Sequence, residues 1–224
     1  DRSRNEYIVL PTDAYPKTGV FNGLGKGTFS CWIKAATSGW IINNGNDGAK
    51  TFFGIELQAS SDIRLYIRGE DYTTQMTVSL KKNIIGDGTW HMVTATWVAG
   101  GSMTIYVDGT PVNSMAMNSM TFAAWKYPML IGSGRNASNR NLLENYFGGS
   151  LDDLKLYNYV LTNVEIAQAF LEGKPDAFVC VNEAGAMDSR YDFDGNCRID
   201  LGDLAALASN WMACGRYPQS ACAD

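Results

Sequence analysis

Short segments of alternating apolar and polar residues dominate the first 172 positions of the chain. They are rich in aromatic and β-branched residues, and Gly, Asn and Asp separate them, as in strands joined by tight turns. The predicted strands are 27–35, 40–44, 52–58, 63–68, 73–80, 91–98, 102–107, 129–132 and 150–157. Asp108-Gly109 predicts a hairpin and Asp87-Gly88 a further turn. Such a series of short strands predicts an all-β sandwich.

Two segments of the chain are predicted to be helical. The first is predicted over 164–171, where Thr162 and Glu165 form a capping box and Gly173 ends the helix. A second lies near the C-terminus, since apolar residues recur there with helical spacing. Its apolar positions are Leu201, Leu204, Leu207, Ala208 and Trp211.

Oxygen-bearing side chains occur at regular intervals just before the second helix. Asp192, Asp194, Asn196, Asp200 and Asp203 occupy positions 1, 3, 5, 9 and 12 of a loop, with the Arg198 carbonyl at position 7 and Ile199 at position 8. Calcium takes about 6–8 oxygen ligands, so this spacing predicts a Ca²⁺ site. The loop has Asp instead of Glu at position 12, and Cys197 instead of Gly at position 6. The alternative is a solvated Asp-rich turn.

Composition limits the classes of function. With 46% hydrophobic residues, the 224-residue chain can form a sizeable core. The net charge is −5, and eight acidic residues against four basic ones follow position 173. No basic patch indicates nucleic-acid binding, and no apolar run reaches the ~18 residues of a membrane span. We expect two domains, 1–173 and 174–224, and the start at Asp1 without Met indicates a piece of a longer protein.

The cysteines are unevenly distributed. Four crowd into the C-terminal unit, which favours disulfides in an oxidising compartment over zinc, because no C-x-x-C pair occurs and the only histidine is distant. These four are Cys180, Cys197, Cys214 and Cys222. Connectivity does not follow from the sequence, and we favour Cys180–Cys197 with Cys214–Cys222. Cys31 is expected to be a buried free thiol.

Several phrases resemble a known family. "GTFSCWIKA", "DGTWHMVTATW", "MTIYVDGTPV", "MLIGSG" and "YFGGSLDDLKLYNYVLTNVEIAQAF" resemble a laminin-G-like, concanavalin-type jelly roll over residues 1–172. The resemblance implies two antiparallel sheets that bind glycans or proteins. Trp32, Trp90 and Trp97 fall inside these phrases and are expected in the core.

The C-terminal run "DFDGNCRIDLGDLAALASNWMAC" resembles a dockerin-type repeat. This implies calcium-dependent attachment to a cohesin-like or cell-surface partner. A dockerin has two such repeats and only one is legible here, so a structural cap is the alternative. Within the first domain, the resemblance also implies that Asp152 holds a structural Ca²⁺ together with Asp1 or Glu6. The alternative for Asp152 is to cap a turn or pair with Lys155.

Candidate catalytic groups are absent from the sequence pattern. The hydrolases of this fold need an alternating Glu-x-Asp-x-Glu strand, whereas Glu56 stands alone and Glu70-Asp71 would point to opposite faces. The lyases need a Tyr/His pair with Arg and Gln, which the strand at His91 lacks. We therefore predict that the protein is not an enzyme and that His91 is a structural hydrogen-bonding residue.

Three regions outside the family phrases carry residues suited to a glycan, which stacks on aromatic rings and bonds to Arg, Asn and Asp. The first holds Trp40, Asn43, Asn44 and Asn46, and the second holds Tyr66, Arg68, Asp71 and Tyr72. We favour the third, with Trp125, Tyr127, Arg135, Asn139 and Arg140, over the alternative of an ordinary polar loop. Its arginines would suit a sulfated or uronic-acid glycan.

Together these features predict a non-catalytic, secreted or cell-surface recognition module with a calcium-binding tail. One alternative is a structural subunit of an extracellular assembly, which a Met-rich stretch would serve as a contact surface. That stretch holds Met103, Met115, Met117, Met120 and Phe122. Another alternative is an accessory module cut from a polysaccharide-degrading enzyme.

Overall fold

The computed structural model describes residues 6–10, 25–45, 52–60, 62–69, 75–81, 84–120, 128–136, 139, 142–181 and 189–209. The chain divides into two compact units, Asp1–Val179 and Cys180–Asp224. Among the described residues, neither helix has the length and hydrophobicity needed to cross a bilayer.

The first unit consists of two antiparallel sheets, which confirms the predicted two-sheet sandwich. The six-stranded sheet has the order β1 (Ile8–Val9), β10 (Leu130–Ile131), β3 (Gly39–Asn43), β4 (Phe52–Leu57), β5 (Asp62–Arg68) and β6 (Gln75–Lys81). The five-stranded sheet has the order β13 (Gly148–Tyr157), β2 (Lys26–Thr37), β7 (His91–Val98), β8 (Ser102–Val107) and β9 (Thr110–Ala116). A small ribbon pairs β11 (Gly134–Arg135) with β12 (Leu143–Glu144).

The main core lies between the two sheets and follows from strand alternation. In β2 the buried side chains of Phe29, Cys31 and Ile33 share one face. Ile55 of β4 and Leu65 of β5 belong to the same core cluster. Cys31 is a buried free thiol, as predicted, and burial raises its pKa. It is therefore an unreactive core side chain.

A second core lies on the other face of the five-stranded sheet, beneath helix α1 (Asn163–Gly173). The predicted capping box is present: Thr162 Oγ1 accepts from the Glu165 backbone N–H, and the Glu165 carboxylate accepts from the Thr162 N–H. Ile166 and Phe170 are the apolar residues with which α1 enters this core. The helix therefore covers a sheet face that would otherwise expose Met92.

The tryptophans differ from one another in burial, and so do the methionines. Trp97 lies in the main core, as expected, whereas Trp32 and Trp90 are only half-buried. Met103 and Met117 are fully enclosed in the main core. Met115, by contrast, is 38% exposed, and Phe122 lies outside the described residues. The Met-rich stretch is thus divided between interior and surface, and the structural-subunit alternative stays a prediction.

Several elements differ from the sequence expectation. The two-residue strands β1, β11 and β12 were not predicted, because so short a segment carries no readable alternation. Strand β9 extends the hairpin much further than Pro111-Val112 indicated. The hairpin turn itself has φ of 53° at Asp108 and 77° at Gly109, as a two-residue turn between twisted strands requires.

The second unit contains a 3₁₀ turn at Ser189–Tyr191 and helix α2 (Leu201–Ser209). Cys180 and Cys197 form a disulfide, the pairing that the sequence analysis favoured. Cys214, Cys222 and Trp211 lie outside the described residues. Leu201 and Leu204 of the predicted apolar stripe are exposed, at 80% and 59%.

His91 is held between two carboxylates at one end of the five-stranded sheet. Its Nδ1 lies 2.8 Å from Asp108 Oδ2, and its Nε2 lies 2.7 Å from Asp87 Oδ2. Asp108 Oδ1 also accepts from the Met92 backbone N–H. The hydrogen bond to Asp108 is the main cause of the raised pKa of His91, with a further contribution from Asp87. The cluster therefore ties the 84–90 loop to the hairpin turn.

We expect stability to depend on pH through His91. Because the folded state raises its pKa, this stabilisation is fully present below the unfolded pKa of about 6.5 and is lost as pH rises through the higher folded pKa. The variant His91→Gln should remove this component and lower the unfolding temperature by about 2–4 °C for each ~1 kcal/mol of hydrogen bonding lost. Thermal unfolding of both proteins between pH 5 and pH 9 measures it. Parallel curves for the two proteins would contradict the assignment.

Candidate functional site

Three acidic side chains of the second unit converge as the sequence spacing predicts. Asp192, Asp194 and Asp203 each offer a carboxylate oxygen, and these oxygens lie within 4.8 Å of one another. No other group of three His, Cys, Asp or Glu residues in the described part of the chain is arranged in this way. Asp203 lies in the first turn of helix α2, so the helix fixes the position of one carboxylate of the cluster.

The loop backbone takes the conformation that an ion-binding turn needs. Cys197 has φ of +66°, the left-handed conformation usually left to glycine. Its N–H donates to Asp192 Oδ2 at 3.0 Å, and the Arg198 N–H donates to Asn196 Oδ1 at 2.8 Å. Cysteine at position 6 therefore does not prevent the turn, and its disulfide to Cys180 holds it in place.

Asp203 is the most enclosed carboxylate of the cluster, with 2% of its surface exposed. Its Oδ1 accepts from the Phe193 N–H and its Oδ2 from the Asp200 N–H, both at 2.7 Å. These backbone hydrogen bonds, led by the one from Asp200, lower the pKa of Asp203. The carboxylate is therefore ionised at neutral pH and faces the other two acids.

Two further observations test whether the loop suits a cation. Asp192 Oδ1 is buried and has no hydrogen-bond partner in the described part of the chain. A Cβ at Gly202 would lie 2.6 Å from Asp194 Oδ2, so glycine at this position lets that carboxylate keep its place in the cluster. A buried carboxylate oxygen without a hydrogen-bond donor is costly unless a cation pairs with it. The donor set consists of hard oxygens, which calcium prefers, so the residues present fit this ion.

On the sandwich, a second candidate site lies on the outward side of the six-stranded sheet, which we call the outer face. Strand register places Trp40 of β3, Glu56 of β4 and Arg64 of β5 in one row. Tyr66 and Arg68 follow Arg64 at i+2 and i+4, so they share this face, while the intervening residues are buried in the core. The outer face therefore combines Trp40 of the first predicted glycan region with Tyr66 and Arg68 of the second.

Electrostatic pairing organises the outer face. Arg64 lies 3.7 Å from Glu56, and the pKa of Glu56 is raised by burial, with Arg64 opposing that shift. Arg68 is enclosed and donates to the Tyr66 hydroxyl at 2.6 Å, with its guanidinium 5.5 Å from the Tyr66 ring centre. Arg68 therefore positions Tyr66, whereas the Arg64 side chain, 35% exposed, is open to a ligand.

The favoured third region lies beside this face and is partly described. A Cβ at Gly134 would overlap the Trp40 ring, so β11 runs directly against that indole. Arg135 follows on β11 and is half-buried, and the exposed Asn139 lies in the loop after it. Trp125, Tyr127 and Arg140 lie outside the described residues, as do Asn46, Asp71 and Tyr72 of the other regions.

Some predicted site residues have structural roles instead. Asn43 and Asn44 are buried, and their side-chain oxygens accept from the N–H groups of Gly45 and Phe53. They satisfy backbone groups just after β3 and within β4, so these oxygens have structural roles. Asp152 is exposed on β13 and accepts from the Asp153 N–H, and Glu6 lines a separate depression near Gly132. The role of Asp152 as a calcium ligand stays a prediction.

Sequence reasoning missed Glu56 and Arg64 as members of the outer face. The signal for Arg64 was the alternation in 62–68, where polar or aromatic residues occupy every second position. Glu56 was dismissed as isolated, because its neighbour comes from the next strand and only the register reveals it.

Comparison with known proteins identifies the first unit. Residues 3–167 match the Laminin G 3 family, described as the concanavalin A-like lectin/glucanases superfamily. No curated protein sequence matches the chain significantly.

Solved structures support the same fold. The sialidase module CBM40 of Ruminococcus gnavus has 15% identity and a TM-score of 0.54, covering 66% of this chain and 84% of that one. The binding domain of Paraclostridial Mosquitocidal Protein 1 has 16% identity and a TM-score of 0.56, covering 75% and 41%. Domains LG4-5 of the mouse laminin alpha1 chain have 15% identity and a TM-score of 0.53, covering 71% and 41%. At these identities the likeness concerns the fold alone.

Proposed function

This chain belongs to the Laminin G 3 family of the concanavalin A-like superfamily, and we propose that it is a non-catalytic recognition module that binds a glycan through the outer face. The observation that carries the proposal is the row of Trp40, Glu56 and Arg64 beside Tyr66. Sugars stack their C–H faces on aromatic rings and exchange hydrogen bonds with charged side chains, and this row supplies both.

The charges favour an acidic glycan. Arg64 is open to solvent on the outer face, and Arg135 lies at its edge. A guanidinium binds a carboxylate or sulfate with two parallel hydrogen bonds, which a neutral sugar does not offer. The R. gnavus module, of similar fold, has been solved bound to α2,3-sialyllactose. A sulfated or uronic-acid glycan is therefore the ligand class that we propose.

The pairing of Glu56 supports a binding role over hydrolysis. A glycosidase of this fold requires two carboxylates, about 5–5.5 Å apart in a retaining enzyme. In the register of the outer face, the cross-strand neighbour of Glu56 on β5 is Arg64, and on β3 it is Trp40. Arg64 would instead hold Glu56 as an acceptor for ligand hydroxyls.

The second unit would act as a calcium-binding tail of the dockerin type. Asp192, Asp194 and Asp203 would hold the ion together with further oxygens of the loop, and the ion would satisfy Asp192 Oδ1. Bound calcium would stabilise a unit too small to bury much apolar surface. The remaining predicted ligands are Asn196, Asp200 and the Arg198 carbonyl.

A disulfide and a calcium loop suit an oxidising, calcium-rich extracellular setting, and there the tail would attach the module to a cohesin-like or cell-surface partner. The same recognition function would serve an accessory module within a longer polysaccharide-degrading enzyme.

Removing the open guanidinium should weaken glycan binding. We expect Arg64→Gln to lower affinity for acidic oligosaccharides about tenfold or more, since a charge-assisted hydrogen bond is worth ~1.5–3 kcal/mol. Glycan-array screening followed by calorimetry measures the effect, with Lys26→Gln, at the exposed start of β2, as the control. Acidic-glycan binding by Arg64→Gln at wild-type strength would contradict the site, and a protein ligand instead of a glycan would contradict the ligand class.

Trp125 tests the extension of the site into the third region. Trp125→Ala should weaken binding about five- to tenfold through lost stacking, without lowering the unfolding temperature. Calorimetry and thermal unfolding of the same preparation measure both quantities. A drop of many degrees would show that Trp125 is a core residue.

Calcium binding should depend on the carboxylate cluster. We expect Asp192→Ala and Asp203→Ala each to weaken Ca²⁺ affinity about tenfold or more and to loosen α2, because ligand charge sets affinity. Asp176→Ala, at an exposed acid outside the loop, is the matched control. Calcium titration and limited proteolysis with and without EDTA measure these effects, and unchanged results in both loop variants would contradict the assignment.

A further inference from the structure

A groove on the opposite side of the sandwich is not part of the outer face. It lies on the five-stranded sheet beside the end of α1 and encloses about 330 Å³. Its walls are formed by Trp32, Trp90, Asp152, Asp153, Gly173 and Lys174. It therefore combines two indoles, two carboxylates and one ammonium group, all within the first unit.

The Trp32 indole is held rigidly in this groove. It stacks on Phe170 of α1, with ring centres 5.7 Å apart and planes inclined by 22°. A Cβ at Gly173 would lie 2.5 Å from the Trp32 ring, so glycine at the helix end allows the helix backbone to close over the indole. The ring is only half-buried despite these contacts. Its orientation is set before any ligand arrives, which reduces the ordering cost of binding.

An irregularity in β13 positions the carboxylates. The register with β2 shifts between Asp152 and Lys155, and Asp153 has φ of +47°, a left-handed conformation that is costly for a residue with a side chain. Lys155 lies 2.7 Å from Asp153 and neutralises it. Asp152, which pairs in register with Trp32, uses Oδ1 to accept from the Asp153 N–H. The Asp152 side chain is exposed, so Oδ2 is accessible to a ligand.

We propose that this groove is a second binding site, which takes one neutral hexopyranose unit. A pyranose ring would stack on Trp32 or Trp90, and its hydroxyls would donate to Asp152 Oδ2 and accept from Lys174. Hydroxyl groups both donate and accept, which matches a groove that holds an accessible carboxylate oxygen and an ammonium group. An organic cation would also favour indoles and carboxylates, but Lys155 neutralises Asp153 and Lys174 offsets Asp152, so the groove has no net negative charge to attract it.

The two sites differ in position and in ligand charge. The outer face presents Arg64 and would take an acidic sugar, whereas the groove combines Asp152 with Lys174 and has no net charge to attract one. This inference therefore does not rest on the proposed function of the outer face. If both sites bind, one chain could hold two sugars of a single polysaccharide or link two chains, with the gain in avidity that bivalence provides.

The test uses the full chain labelled with ¹⁵N, in which each indole N–H gives its own resonance. The probes are the methyl α- and β-glycosides of glucose, galactose, mannose and N-acetylglucosamine, each up to tens of millimolar, and tetramethylammonium. Trp32→Phe and Trp90→Phe assign the two groove indoles, and the Trp40 indole reports on the outer face. We expect at least one neutral glycoside to shift the Trp32 and Trp90 resonances saturably.

Asp152→Ala should weaken that binding about tenfold or more, through loss of a charged acceptor. Glu172 precedes Gly173 in α1 and does not line the groove. Glu172→Ala therefore removes the same charge close to the groove, and it should change affinity less than about twofold. Both variants should unfold at the temperature of the wild-type protein, which would show that neither change disturbs folding. The proposal is overturned if no glycoside saturates the groove resonances, if only tetramethylammonium does, or if both variants behave alike. If the outer face binds no acidic glycan, the Trp32 and Trp90 resonances should still respond to the neutral glycosides, so the two proposals can fail separately.

Discussion

The structure depends on the two faces of one long strand. β2 pairs with β13 on one side and β7 on the other, which makes it the second strand of the five-stranded sheet. Its inward residues, including Phe29 and Ile33, enter the main core, and its outward residue Trp32 contacts α1. Because successive side chains point to opposite faces, a shift of one residue would exchange these two sets. The register of β2 therefore determines the main core, the second core and the groove together.

The same principle of register accounts for the outer face. Trp40, Glu56 and Arg64 come from three strands and meet only because the hydrogen-bond ladder aligns them. Arg68 lies enclosed on the same face, further along β5, and donates a hydrogen bond to the Tyr66 hydroxyl. The rigid sheet thus presents a fixed set of aromatic and ionic groups, which suits recognition of a carbohydrate more than a reaction that requires two facing carboxylates.

Local signals were sufficient where a feature is contained in a short stretch of chain. Thr162 and Glu165 predicted the start of α1, and Asp108-Gly109 predicted a hairpin, because capping and turn chemistry act within a few residues. The spacing of Asp192, Asp194 and Asp203 likewise anticipated their convergence. Long-range features were less accessible. Glu56 looked isolated until the neighbouring strand was aligned. Asn43 and Asn44 looked like ligand contacts, although their oxygens accept from the backbone N–H groups of Gly45, just after β3, and of Phe53, in β4.

We propose that the sandwich binds a glycan and that the small second unit, which contains a disulfide, binds an ion. The central proposal is that an acidic glycan binds at Arg64 and Tyr66. The most direct measurement is a crystal structure of the full chain, grown with calcium and an acidic oligosaccharide. We predict that the carboxylate or sulfate of the sugar lies against Arg64 and that a sugar ring lies over an outer-face aromatic. A sugar bound elsewhere on the sandwich, with the outer face occupied by solvent alone, would contradict it.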